Sequence, residues 1–191
     1  MLSGTVLDRN SESRAEIAVG TLDAEGDIVE LQVQRSARPD IHQKNWVPLV
    51  RGDAVFFVYK TDPTVILRLD PASGQARVVE TGRPTLRLDH LRGGSQAIAV
   101  PGGWLYATHE VVPLEGSRRR YLHRFVLLGE DFKVLAVTDP FSFLGRNVEL
   151  CAGLVREPMT GKLIASFGAD DASAQLAFLD EHAVLAALRS A

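Results

Sequence analysis

One cysteine, Cys151, stands in the whole chain, so no intrachain disulfide can form and nothing points to an oxidising compartment. Long apolar runs are missing as well. None approaches the roughly 20 residues that a membrane helix needs, and the first ten residues lack the apolar centre of a signal peptide. A cytoplasmic protein with no membrane partner is the expectation. An excess of one charge is also absent, since 21 Lys and Arg stand against 24 Asp and Glu for a net charge of -3. That balance speaks against a nucleic-acid partner. Arg118-Arg119-Arg120 is the one strongly basic run, and it reads as a solvated hairpin tip.

Several chemical motifs are lacking too. Leu91-Arg92-Gly93-Gly94-Ser95 matches neither the P-loop nor the dinucleotide loop. His42, His90, His109, His123 and His182 show no zinc spacing, so no metal is expected. No serine sits in a G-x-S-x-G elbow. Cys151 lies in an apolar run and reads as a buried, inert thiol.

What is present is β-strand pattern. The 191 residues, 46% hydrophobic and 24% charged, suit one globular domain over 1–191 with a real core. Alternating apolar runs predict strands over 15–22 and 27–34, then 45–50, 54–60, 65–70 and 75–80. A second set covers 96–100, 103–109, 121–128 and 132–138, and a third covers 148–154, 162–168 and 174–180. Arg51-Gly52-Asp53, Pro71-Ala72-Ser73-Gly74 and Pro101-Gly102-Gly103 supply turns. The Ala- and Leu-rich tail, 181–189, favours helix, with a final outer strand as the alternative.

A phrase recurs along these strands. Leu22-Asp23, Leu69-Asp70, Leu128-Gly129 and Leu179-Asp180 each close an apolar run, at spacings of 47, 59 and 51 residues. That period fits a four-stranded propeller blade. The fold class predicted is therefore all-β, a β-propeller of about three and a half blades with a short C-terminal helix. An unclosed propeller leaves strand edges exposed, so a partner chain or a second copy is expected to cover them.

The repeat also sorts polar residues. In an antiparallel pair, the start of the first strand lies beside the end of the second. This gathers Lys44, Asn45 and Trp46 with Asp62, then His109, Glu149, Asp170 and Asp171, on one face. Each also has a plain reading: Trp46 as inter-blade packing, His109 bonded to a carbonyl, Asp62 before Pro63 and Asp170-Asp171 as turn formers. Glu149 would need a partner if buried.

The segments themselves resemble a family. Gly103-Trp104-Leu105-Tyr106-Ala107-Thr108-His109-Glu110-Val111 resembles the G-W-L-x-x-x-H-G-V segment of mannoside phosphorylases, five-bladed propellers of the glycosidase superfamily. Tyr121 stands where that family opens a strand with tyrosine, Phe167-Gly168-Ala169-Asp170-Asp171 resembles Y-G-A-A-D, and Lys44-Asn45 resembles its K-D or K-N. Lys44 to Pro48, Gly93-Gly94-Ser95, Tyr121 to Phe125 and Val148 to Leu154 also resemble a group of uncharacterised glycosidase-like propeller domains. The resemblance implies carbohydrate as ligand, with inorganic phosphate as co-substrate held by Lys44, His109 and Tyr121. It implies that the sugar is bound by Asp171, and the strand-order grouping adds Asn45, Trp46, Asp62, Glu149 and Asp170 as expected substrate-binding neighbours on the same face. The family's acid catalyst lies in an E-D-x-R segment one blade earlier, which Met1 to Arg14 do not match. A chain truncated at its N-terminus relative to the family, with no assignable catalytic residue, is the expectation. The competing expectation is a noncatalytic assembly module or scaffold. Glu110, where the family has glycine, is expected to repel a bound anion.

Overall fold

A computed structural model describes residues 1–35, 40–116 and 118–191. The strands are antiparallel and fall into four sheets in chain order. The first sheet holds β1 (Leu2–Val6), β2 (Glu16–Leu22) and β3 (Ile28–Val33). The second holds β4 (Val47–Arg51), β5 (Ala54–Lys60), β6 (Thr64–Leu69) and β7 (Ala76–Gly82). The third holds β8 (Arg92–Gly93), β9 (Ile98–Val100), β10 (Gly103–Pro113), β11 (Arg119–Gly129) and β12 (Val134–Val137). The fourth holds β13 (Glu149–Arg156), β14 (Leu163–Ala169) and β15 (Ser173–Leu179). After β15 come the helix α1 (Glu181–Ala186) and β16 (Arg189–Ser190), which returns to pair with β12. Both readings of the tail are thus realised, one after the other.

The recurring Leu-Asp phrase has a physical cause. Leu22, Leu69 and Leu128 lie at the ends of β2, β6 and β11, each just before the turn into the next strand of its sheet. Asp23 accepts backbone N–H bonds from Glu25 and Asp27, and Asp70 accepts from Ala72 N–H and the Ser73 hydroxyl. Short carboxylates close such turns by imitating a backbone acceptor. After Leu128 the task falls to Asp131, which accepts from Lys133 N–H. In the fourth sheet the same phrase opens a helix instead, because the Asp180 side chain caps α1 through Ala183 N–H.

Three apolar clusters join the sheets in chain order. Ile17 and Val19 of the first sheet pack on Trp46, Phe57 and Leu67 of the second. Leu49, Val58 and Ile66 then pack on Trp104, Tyr106 and Val126 of the third. Leu105, Ala107 and Phe125 pack on Cys151, Leu154 and Phe167 of the fourth. On the fourth sheet's other face, Leu176 and Phe178 are 61% and 63% exposed.

Gly93-Gly94-Ser95 is where three of these layers touch. A Cβ on Gly93 would lie 2.1 Å from the Asn45 carbonyl oxygen, and one on Gly94 would lie 2.8 Å from that of Cys151. The Ser95 hydroxyl accepts from Ala107 N–H at 2.9 Å and donates to the Gln96 carbonyl. The motif is a packing joint, which explains its two glycines without a bound phosphate.

Candidate functional site

The site begins with the segment that leads into β4. Asn45 takes a left-handed conformation, with φ of 63°, a region in which asparagine is among the more tolerant residues. This turns the chain against Gly93 and leaves Lys44 exposed beside the end of β5. There, Lys60-Thr61-Asp62 leaves the sheet, and Asp62 Oδ2 accepts the Leu88 N–H at 3.0 Å. Between these segments opens a cleft of about 460 Å³, lined among others by Lys44, Asn45, Tyr59, Lys60, Asp62 and Arg92. Asp89 reaches the same cleft, but Arg87 grips it at 2.9 and 3.2 Å. That hydrogen bond holds the Asp89 carboxyl below the usual carboxylate range. Lys44, Lys60 and Arg92 make no ion pair among the described residues.

Next to the cleft runs a row of side chains set by strand register. Arg92 of β8 lies opposite His109 of β10, His109 lies opposite His123 of β11, and His123 bridges to Phe141. Two positions before His123, on the same face, Tyr121 stacks on His109 at 5.2 Å and 11°. His109 is 3% exposed. Burial pushes its ring down to about 4, helped by the charges of His123, Arg92 and Lys44. The ring is therefore neutral at pH 7, and its Nδ1 has no hydrogen-bond partner among the described residues. His123 is likewise pushed to about 4 by burial, with Glu149 pulling the other way. Its Nε2 accepts the Cys151 N–H at 3.1 Å. Burial also pushes the Cys151 thiol up to about 12, in keeping with an inert residue.

Two sequence candidates belong to the interior instead. Trp46 is buried, edge-on to Phe57 and Tyr59 at 5.7 and 5.5 Å. Its apolar ring is worth more between the first two sheets than in water, so it offers no platform to a sugar. Glu149 is 0% exposed, and its two oxygens accept from Phe143, Leu144 and Arg146 N–H at 2.6, 3.1 and 2.7 Å. This carboxylate is consumed in holding the loop before β13. Glu110 differs from its expectation too. It lies 3.1 Å from His90 Nε2 and 3.4 Å from Arg124, so its charge is directed to those groups rather than against a ligand.

The remaining candidates lie at the same strand ends but outside the cleft lining. Asp170 and Asp171 have φ of 53° and 54° and form an exposed turn between β14 and β15, closed by Ala172 N–H on the Ala169 carbonyl. Asp170 N–H bonds the Val148 carbonyl, and Tyr121 N–H bonds the Asn147 carbonyl, so this tip is tied to the His109 row through one loop. Lys44, Asn45 and Asp62 thus share a cleft, His109 and Tyr121 stack beside it, and Asp170 and Asp171 stand apart. Arg92 is a cleft residue that sequence reasoning left out, and Lys60, on the strand end that carries Asp62, joins it in the cleft without having been singled out. Arg92 had a signal, as a cation directly before the Gly93-Gly94 joint.

No family model matches the chain, and no curated protein matches it. Among solved structures, the chain is similar to a β-1,2-mannobiose phosphorylase from Listeria innocua in complex with β-1,2-mannobiose. The TM-score is 0.62 at 17% identity, over 92% of this chain and 54% of that one. The likeness is one of fold, and this chain, all-β apart from one short helix, spans about half the length of that enzyme.

Proposed function

We propose that the protein is a carbohydrate-binding β-propeller domain of the five-bladed glycosidase type, with its four sheets as successive blades. Chain-order packing of the sheets and the recurring turn after β2, β6 and β11 support the blade assignment. The sugar face is the set of strand ends around Lys44 and His109. The observation that carries this reading is the convergence of Lys44, Asn45 and Asp62 on one cleft, beside the neutral His109–Tyr121 stack. Lysine and neutral donors suit an anion such as inorganic phosphate, while Asn45 and Asp62 suit sugar hydroxyls. Asp170 and Asp171 extend the same face, so a ligand longer than one sugar ring would reach toward them.

Binding is better supported than cleavage. A glycosidic bond needs a proton donor near neutral pH, yet Arg87 keeps Asp89 ionised and Glu149 is enclosed by three N–H donors. The exposed apolar pair Leu176 and Phe178 favours a second element of the proposal, a partner chain or a second copy over the fourth sheet.

A thermal-shift titration with β-1,2-mannobiose and with mannose, with and without inorganic phosphate, tests the reading. A mannoside is expected to raise the melting temperature, and phosphate to raise it further in a way that Lys44→Ala removes. No shift with any mannoside would overturn it. Release of sugar phosphate, assayed in parallel, separates an enzyme from a binding module.

A further inference from the structure

We infer that the sugar held in the cleft carries its own negative charge, as a carboxylate or a phosphate ester seated among Lys44, Lys60 and Arg92. The inference deepens the carbohydrate reading and rests on it. These three cations come from separate segments: Lys44 from before β4, Lys60 from the end of β5 and Arg92 from β8. All three line one cleft. Three like charges around one concavity repel one another, and the repulsion is strengthened where protein walls replace water.

The carboxylates of the same cleft relieve this only in part. Asp89 is gripped in a fork by Arg87, and Asp62, one oxygen of which accepts Leu88 N–H, is a single carboxylate against three cations. Several other cations of the chain are placed against a partner. Arg124, Arg156 and Arg189 sit on Glu110, Glu181 and Asp139, while Arg51 and Arg68 lie over aromatic rings. His109 adds no charge, because burial keeps it neutral. The positive character of the cleft therefore belongs to Lys44, Lys60 and Arg92.

Size and wall chemistry extend the point from an anion to an anionic sugar. A cleft of about 460 Å³ is in the range of small-molecule sites and larger than a bare inorganic anion needs. Asn45 offers an amide, and Asp62 Oδ1 has no hydrogen bond among the described residues, so both remain for ring hydroxyls. Tyr59, half-buried against Trp46, offers an aromatic edge to the ring.

Calorimetric titration of the full chain at low salt tests this with five probes: mannose, mannose 6-phosphate, mannuronate, inorganic phosphate, and mannose with phosphate together. The acidic sugars are expected to bind at least about tenfold tighter than mannose, a ratio that falls as salt is added. Lys60→Ala and Arg92→Ala are each expected to weaken the acidic sugars about tenfold and mannose hardly at all. Lys60→Arg should retain most of the binding, which separates lost charge from lost fold. A preference for mannose 6-phosphate alone or for mannuronate alone supports the inference and names the source of the charge. Equal binding of mannose and the acidic sugars overturns the inference while leaving the carbohydrate reading intact. Binding of inorganic phosphate as tight as that of mannose 6-phosphate, with none of mannuronate, overturns it in favour of a bare phosphate site. If no sugar binds, the carbohydrate reading falls and this inference with it.

Discussion

Two clusters of polar residues lie at the same strand ends and are built in opposite ways. At the junction of the third and fourth sheets, His123 and Glu149 are 0% exposed, and the backbone answers them: Cys151 N–H for the histidine Nε2, whose Nδ1 has no partner among the described residues, and three loop N–H groups for the glutamate. In the cleft beside the second sheet, Lys44, Lys60 and Arg92 are exposed and make no ion pair among the described residues. The first cluster spends its hydrogen bonds on the fold. The second keeps its charge available. His109 stands between them, buried like the first group and flanked by the charges of the second.

Acid should damage the buried cluster more than anything done to the cleft. In the unfolded chain His109 and His123 take up protons below about pH 6.5, whereas folded they do so only near 4. Their folded values are depressed, so stability is complete above about 6.5 and falls as pH drops toward 4. The loss is about 3 kcal/mol for each ring by pH 4, or about 6 kcal/mol together. Urea midpoints measured from pH 7 to pH 4 check this, and His123→Gln should halve the slope. A flat profile would mean that neither ring is buried and neutral.

Glu149→Ala ranks next. Removing the carboxylate leaves three loop N–H groups unanswered and a buried cavity, for a loss of about 3–5 kcal/mol in chemical denaturation. Ligand binding in the cleft should survive wherever the variant remains folded. If Glu149→Ala instead abolished sugar binding with stability unchanged, the division into a structural and a receptive cluster would be wrong.

Gly93→Ala strikes the border of the two. The new Cβ would lie 2.1 Å from the Asn45 carbonyl, so the segment bearing Lys44 and Asn45 must move. A loss of about 1–3 kcal/mol in thermal unfolding, together with weaker binding in the cleft, is the expected outcome. Unchanged binding would place the ligand elsewhere.

The same contrast explains what the sequence disclosed. Strands such as Ala54–Lys60, bounded in the structure as they were read, announce themselves because one face is apolar and a turn residue follows. β1 was missed because Leu2-Ser3-Gly4-Thr5-Val6 buries little, and its pairing with β2 leaves no trace in local pattern. β10 runs on to Pro113, past the predicted end, because it is paired with Arg119 to Tyr121 of β11 in a ladder beyond the core. For the site, strand order placed Lys44, Asn45 and Asp62 together. It could not distinguish Glu149 from them, since burial depends on a loop folding back over three residues to six. Nor could it single out Arg92, whose place opposite His109 comes from a two-residue strand.

The smallest effect on stability is the one that most sharpens the comparison. Lys60 is exposed and unpaired among the described residues, so Lys60→Ala should change unfolding free energy by less than about 0.5 kcal/mol. A slight gain is the more informative sign, because removing one of three converging cations relieves their mutual repulsion in the empty cleft. The gain should shrink as salt is raised, since screening already weakens that repulsion in the parent protein. Paired denaturation curves at low and high salt read the difference directly. A loss rather than a gain would show that Lys60 is held by a partner and that the cleft is neutralised from within.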